Sequence, residues 1–504
     1  MNHNDHLLYN LTEYSRTDYY PFHMPGHKRA PLEFPNPWSI DITEIEGFDN
    51  LHHAEGILEK LQQEAAGLFG VKKSFCLVNG STCGILSAVS ACVKTGGKLL
   101  MSRNCHKSVY HAVYLRNITP IYVMPEMTDF GIMGSLSPET VERALKEQPD
   151  IDAVLVVSPT YDGVVSDIRS IARIAHAQGI PLIVDEAHGA HLPFCRNLPE
   201  LMPDRLPAEQ ACSVRSHRCF PESALACGAD VVIQSLHKTL PAFTQTALLH
   251  LNSSRVEESE IRRFLGIYQS SSPSYLLMAS IDQCMQIIQK DGQKLLTGLR
   301  INLEDFYKKC SSLKSIQVFR EQEKNTPALF DRDDSKILIS AAASGMSGQE
   351  LYNILLEQYH LQLEMASGHY ALALTSLLDR AEGFDRLFAA LQQIDRMLSS
   401  NSRTDSVRAA NMRNTCRELY RIPQQTMTIA EAFEHPSATI LLEDAAGAVS
   451  REYIYLYPPG IPLVAPGEVI DASLIENIQR IKEAGLKPEG LSDFTNTRIN
   501  VVNF

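Results

Sequence analysis

Nothing in this sequence is long and apolar enough to cross a membrane, and nothing is basic enough to grip a polyanion. The apolar run Ala153–Val157 falls far short of the ~20 residues that span a bilayer. No Lys/Arg-rich run stands out. Lys+Arg numbers 46 against 59 for Asp+Glu, a formal charge of −13, which argues against nucleic acid and against anionic lipid as partners. The 11 cysteines include no CxxC pair, and an odd number of scattered thiols in an enzyme-sized chain reads as reduced and cytoplasmic. The start, MNHNDHLLYN, has no basic segment followed by an apolar one, so no signal peptide is expected. There is no internal repeat. What remains is an ordinary globular balance, 44% hydrophobic and 21% charged over 504 residues, enough at ~150 residues per domain for about three domains.

The first 50 residues read as loop-like, with PFHMPGHKR and a Pro-rich stretch at 31–37. From residue 51 short apolar runs alternate with helical periods. SFCLVN, KLLM, AVLVVS, PLIVDEA, VVIQS and ALLHL are strand candidates, with helices expected after residue 82, over 104–115 and at ARIAHAQG. Continuous apolar strands alternating with helices predict a mostly parallel sheet covered on both faces, an α/β fold with ligands at the strand C-termini. A long helical pattern over 275–306 leads into a mixture of short strands and helices at 348–358 and 384–398, and a last helix is expected near 474–484. The expected division is an N-terminal segment 1–50, a major domain 51–275, a smaller α+β domain 276–400 and a C-terminal α+β domain 401–504. The polar stretch 399–414 is the linker candidate. Residues 196–220, rich in Pro, Arg and Cys, interrupt the pattern as a surface excursion.

Three segments carry chemistry. LVNGSTCG puts Gly80, Ser81 and Thr82 at a helix N-terminus, either an ordinary cap or a phosphate cup made of free N–H groups and hydroxyls. PLIVDEAHGAH ends a buried strand with Asp185, Glu186 and His188. The DEAH box of a nucleotide-driven helicase is excluded because no GxxxxGK[ST] run precedes it. Metal binding by His188/His191, or by His23/His27 in a Pro/Gly segment that cannot be helical, is the weaker alternative. SLHKTLPAFTQTA places Lys238 at a strand end, flanked by Ser235, His237 and Thr239: an amine beside a phosphate site, able to form a Schiff base. With Asp185 one strand earlier and the hydroxyl cup before it, these residues suit pyridoxal phosphate.

Nine segments, PFHMPGHK, GFDNLHHAEG, LVNGSTCG, RNCHKSVYHA, SPTYDG, VDEAHGAH, QSLHKTLPAFTQTA, SSSPSY and YPPGIPLVAPGE, resemble in order the Orn/Lys/Arg decarboxylases of fold-type I. The resemblance runs from His23 to the C-terminal tail. It is to the short form, most like bacterial arginine decarboxylases, without the receiver-like N-terminal domain of longer members. It implies an aspartate-aminotransferase-like fold, pyridoxal 5′-phosphate as cofactor and Lys238 as its covalent anchor. Asp185 would pair with the pyridine nitrogen and His106 would stack on the ring. Ser81, Thr82, Ser235 and His237 would hold the phosphate, and His188 would line the ring near its oxygen substituent. Ser271 or Ser272, with Ser272 preferred, would reach the neighbouring subunit's phosphate, implying a homodimer or higher oligomer with shared sites.

The sequence departs from the pattern in the spacing of Asp185 and Lys238, 238 − 185 = 53 residues, lengthened by the 196–220 excursion. A Cys pair, Cys219 and Cys227, precedes the ADVVIQS strand and is expected at the surface. The fold also hosts aminotransferases and carbon–sulfur lyases, and a non-catalytic regulatory homologue is a further alternative. No Arg occurs from 333 to 379, where an aminotransferase would clamp the substrate carboxylate. Its absence favours loss of that carboxylate. The expected reaction is decarboxylation of a basic amino acid in polyamine biosynthesis, arginine first, then lysine or ornithine, with Lys238 or His237 returning the proton. Glu46, Asp49 and Glu468 are the candidates for reading the substrate's distal cation.

Overall fold

The computed structural model describes residues 6–196, 198, 220–320, 328–400, 420–456, 460–483 and 488–504. The 196–220 excursion, Cys219 included, and the 399–414 linker lie outside these residues except at their ends.

Seven strands form the central sheet: β1 (Lys73–Leu77), β2 (Lys98–Ser102), β3 (Thr119–Val123), β4 (Ala153–Val157), β5 (Leu182–Asp185), β6 (Val231–Gln234) and β7 (Ala247–Leu251). Their order is β1-β7-β6-β5-β4-β2-β3. Side chains alternate between the two faces. Leu182 and Val184 join one apolar core and Ile183 the other, which is why these strands read as unbroken apolar runs. All neighbours are parallel except β7, which runs against both β1 and β6. The 235–246 connection between β6 and β7 is too short to carry a crossover helix back to the start of the sheet, so the chain turns and returns antiparallel.

Helices α1 (Gly80–Cys92) and α2 (Lys107–Leu115) follow β1 and β2. The second starts later than the pattern suggests because His106 is its N-cap. The edge strand β3, with only partial burial, was not legible in the sequence. Helix α3 (Tyr275–Cys310) runs on to a four-stranded antiparallel sheet of Gln317–Val318, Lys336–Ser340, Ala371–Leu374 and Met365–Ala366. Helices Gly348–Tyr359 and Ala381–Ser400 accompany it.

The N-terminal segment corrects the sequence reading. It holds a helix, Leu7–Ser15, and a strand, Tyr20–Phe22, that pairs in parallel with Leu361–Leu363. A pairing across more than 300 residues leaves no local periodicity to read. Residues from 420 onward form a helix Ile429–Glu434, the pair Ser437–Leu441 with Arg498–Val502, a three-stranded sheet, and helix Ala472–Glu483. Among the described residues no helix is long and apolar enough to cross a membrane.

Candidate active site

The C-terminal ends of β5 and β6 and the N-terminus of α1 meet along one edge of the sheet. Lys238 sits in a one-turn helix, Leu236–Thr239, directly after β6. Its Nζ lies 2.8 Å from His188 Nε2. Burial lowers the amine's pKa to about 8 against the opposing pull of Asp185, yet the side chain remains part-exposed, as expected of a group lining a cleft. Burial and the charge of Lys238 push His188 well below its ordinary range, so its ring is neutral and Nε2 accepts from the ammonium.

Asp185 closes β5 and is buried. Its Oδ1 accepts the Ala187 N–H at 3.1 Å. Burial raises its pKa, with Lys238 and the Ala187 N–H opposing. No ion pair within 4 Å satisfies it among the described residues, the state of a carboxylate placed to receive a cation. His106 caps α2 through Nδ1, 3.3 Å from the Ser108 N–H and 2.8 Å from Ser108 Oγ. Burial, then Lys238, takes its pKa down to about 3, so it presents an uncharged ring.

Ser81 Oγ and Ser235 Oγ are 2.6 Å apart, joining the α1 N-terminus to the loop before Lys238. No side chain caps α1: Asn79 instead accepts the Ser270 N–H at 3.0 Å. His237 meets the Thr246 carbonyl through Nδ1 at 2.8 Å, and burial lowers its pKa to about 4. Thr82 is exposed at the start of α1. Ser271 and Ser272 lie on an exposed loop beside Asn79, Ser272 bonded to Ser270 within the loop.

These residues fit a phosphorylated aromatic aldehyde on the structure's own terms. The buried Thr239 Oγ1 and His188 Nδ1 have no hydrogen-bond partner among the described residues, and both adjoin Lys238 or its contact. Gly26 packs on this loop so closely that a Cβ would lie 2.6 Å from the Leu240 carbonyl oxygen, and its N–H donates to the His237 carbonyl at 2.6 Å. The PGHK motif is therefore a strap over the lysine loop.

Of the three acids expected to read a distal cation, two are engaged within the fold. Asp49 (φ +68°) accepts four backbone N–H groups, of Asn50, Glu55, Gly56 and Leu58. Burial opposes, but these donors hold its carboxyl below the usual range. Glu468 is buried and bound bidentately by Arg103, at 2.6 and 2.9 Å. Both carboxylates are consumed by the fold. Glu46 is exposed.

The sequence reading missed Glu364. Its Oε2 accepts the Met24 N–H at 2.8 Å and its Oε1 accepts the Tyr161 hydroxyl. Tyr161 packs its ring 4.6 Å from that of His188. The charge of Glu364 acts on Lys238. The signal was present: in LQLEMA, Gln362 and Glu364 alternate with apolar residues, marking a polar strand face. Arg332, just before the Arg-free window, is buried and bonded to the Phe319 and Lys336 carbonyls and to Asp334.

Comparison with known families gives a match to "Orn/Lys/Arg decarboxylase, major domain" over residues 6–331, and to the C-terminal domain of the same family over 410–491. The chain belongs to the Orn/Lys/Arg decarboxylase family. It is 31% identical to an arginine decarboxylase of Bacillus subtilis, covering 95% of this chain and 94% of that protein. It is 30% identical to one of Bacillus anthracis, with 98% and 96% covered. An inducible lysine decarboxylase of Escherichia coli is 24% identical over 94% of this chain and 77% of its own length. Among solved structures, Francisella novicida lysine decarboxylase superposes with a TM-score of 0.76 at 18% identity, covering 98% of this chain and 80% of that one. An alanine–glyoxylate aminotransferase from Nostoc gives 0.51 at 14% identity, over 67% and 86%. The expected aspartate-aminotransferase-like fold is the observed one, and this family member is an amino acid decarboxylase.

Proposed function

We propose that this chain uses pyridoxal 5′-phosphate to decarboxylate a basic L-amino acid, arginine before lysine or ornithine. The observation that carries this reading is Lys238: an amine with its pKa lowered to about 8, 2.8 Å from a neutral His188, at a strand end beside the buried Asp185. The full-length arginine decarboxylase relatives support the choice of substrate.

Lys238 would hold the cofactor covalently, and Asp185 would keep a proton on its ring nitrogen. His106 would cover one ring face and His188 would line the ring edge. Ser81, Thr82, Ser235 and His237 would hold the phosphate, helped by the uncapped α1 N-terminus. Ser272 would serve the neighbouring subunit's phosphate in a homodimer. When bound, the cofactor supplies the electron sink for the pair left on Cα as CO2 departs. Lys238 Nζ, sharing a proton with His188 Nε2, is the group that returns a proton to Cα. His237 is the poorer candidate, since its Nδ1 is engaged by the Thr246 carbonyl. Glu364, held by Tyr161 and the strap at Met24, is the carboxylate placed to read the distal cation. The chain divides at about residues 51, 276 and 401, with the N-terminal segment joined to the smaller domain through Tyr20–Phe22.

The test is purified protein with pyridoxal phosphate and arginine, lysine or ornithine, reading CO2 and the amine product by mass. Agmatine from arginine is expected, with activity reduced about a thousandfold or more in Lys238→Ala. Cofactor binding without CO2 from any substrate would point instead to an aminotransferase or lyase of the same fold. Absence of cofactor binding would make the chain non-catalytic.

A further inference from the structure

The C-terminal domain reaches the turn that carries His106 through a buried ion pair. Glu468 lies in the tail motif and Arg103 in the turn after β2, three residues before His106. Arg103 Nη1 and Nη2 meet the two carboxylate oxygens of Glu468 at 2.6 and 2.9 Å, and both residues are essentially sealed from solvent. The guanidinium also lies 4.6 Å over the Tyr122 ring. A planar fork held at both ends and stacked on a ring has one orientation, unlike a point charge.

Each partner is fixed on its own side. Glu468 Oε2 also accepts the Ala465 N–H at 2.8 Å, and the Glu468 carbonyl accepts the Ser450 N–H at 2.8 Å. Gly467 before it has φ +87° and no room for a Cβ, which would lie 2.4 Å from the Met427 carbonyl oxygen. On the other side the Arg103 N–H donates to the Val123 carbonyl at 2.8 Å, and the Arg103 carbonyl accepts the Tyr110 hydroxyl at 2.8 Å. Tyr110 is on α2, the helix that His106 caps. The same face of α2 packs on the C-terminal domain, Tyr114 against Phe433 at 5.1 Å and Tyr110 against Tyr453 at 6.2 Å between ring centres. The turn 103–106 is thus fixed at its first residue by β3, by the Tyr110 hydroxyl and by the ion pair, and at its last residue by the start of α2.

We infer that the Arg103–Glu468 pair is a positioning device by which the C-terminal domain sets the ring plane of His106 over the cofactor. This rests on the cofactor reading above. It gives the C-terminal domain a part in catalysis without any group touching substrate. Removing one partner would strand the other charge in the core and destabilise the fold, so the informative variant removes both, R103M/E468M, since apolar replacement of a whole buried pair is tolerated.

The experiment is a double-mutant cycle on the loaded enzyme: wild type, R103M/E468M, H106A and the combination. The readouts are kcat, KM, the cofactor's induced circular dichroism and its Kd. With His106 present, pair removal is expected to lower kcat about tenfold with KM within twofold, and to weaken the induced dichroism. In the H106A background the same change should cost less than twofold and leave the dichroism unaltered. Equal losses in both backgrounds would overturn the inference and leave the cofactor reading intact. An H106A enzyme with unaltered kcat and dichroism would overturn the inference together with the placement of His106 on the ring, whereas a wild type with no induced dichroism and no measurable cofactor Kd would overturn the cofactor reading itself. If R103M/E468M does not fold, R103K, which keeps the charge and loses the fork, runs through the same cycle with the same criteria.

Discussion

Asp185 and Glu186 are neighbours in the chain, both carboxylates, both buried at the end of β5, and they do opposite work. Asp185 has one backbone donor at Oδ1 and faces Lys238. Glu186 faces away and is saturated: Ser223 Oγ donates at 2.7 Å, the Ala224 N–H at 2.8 Å and Gln234 Nε2 at 2.6 Å. On the reading proposed above, one acid is left with a single backbone donor so that it can meet a ligand, while the other is bonded by three donors and holds the chain that returns after the excursion. Burial of a carboxylate marks neither role; the count and direction of its donors do.

The contrast breaks most sharply under isosteric replacement. Asp185→Asn should cut kcat by three orders of magnitude or more, roughly 4 kcal/mol of transition-state stabilisation, with little change in thermal stability. Glu186→Gln should leave kcat at saturating cofactor within about threefold and lower Tm instead. Steady-state kinetics beside thermal melts of the two variants decide it, and a catalytic collapse in Glu186→Gln would erase the distinction.

A smaller effect separates the pair by pH. Burial, partly countered by its three donors, raises the Glu186 carboxyl from 4.5 to about 7. The folded state therefore binds more protons than the unfolded one between those values, and stability falls as pH rises from about 4.5 to about 7, by on the order of 3 kcal/mol. Denaturant melts across that window should show the slope in wild type and its loss in Glu186→Gln. An identical slope in both would assign it to other groups.

Glu364 extends the comparison to a third carboxylate, one that is part-exposed and takes the Met24 N–H at Oε2 and the Tyr161 hydroxyl at Oε1. Glu364→Gln should raise KM for the basic substrate about tenfold while leaving the cofactor Kd unchanged. An unaltered KM would place the distal cation elsewhere.

The sheet edge was legible because its chemistry is local. Apolar runs mark β5 and β6, and the polar residues that end them, Asp185 and Lys238, must then stand where ligands meet a parallel sheet. The turn at Gly80 and the lysine loop were readable for the same reason. Asp49 and Glu468 were not, because what occupies a carboxylate is a matter of tertiary structure. Four backbone N–H groups of the residues that follow occupy one, and an arginine far away in sequence binds the other. The strand Tyr20–Phe22 escaped similarly, its partner lying beyond any window in which periodicity is visible. Glu364 was missed for a different reason: a single acid in a short strand looks like a solvated face until the strap and Tyr161 are seen to close on it.

The Glu186 clamp also bears on how the chain can vary. By tying Ser223 and Ala224 to the end of β5, it fixes the re-entry point of the backbone before β6, and β6 in turn sets Lys238. A change of chain length confined to the 196–220 excursion is therefore expected to leave the lysine in register, since its flanks are tied to β5 and β6. The 53-residue interval between Asp185 and Lys238 thus has a port in that excursion where new sequence can enter, while His188 on one flank and Ser235, His237 and Lys238 on the other stay in frame.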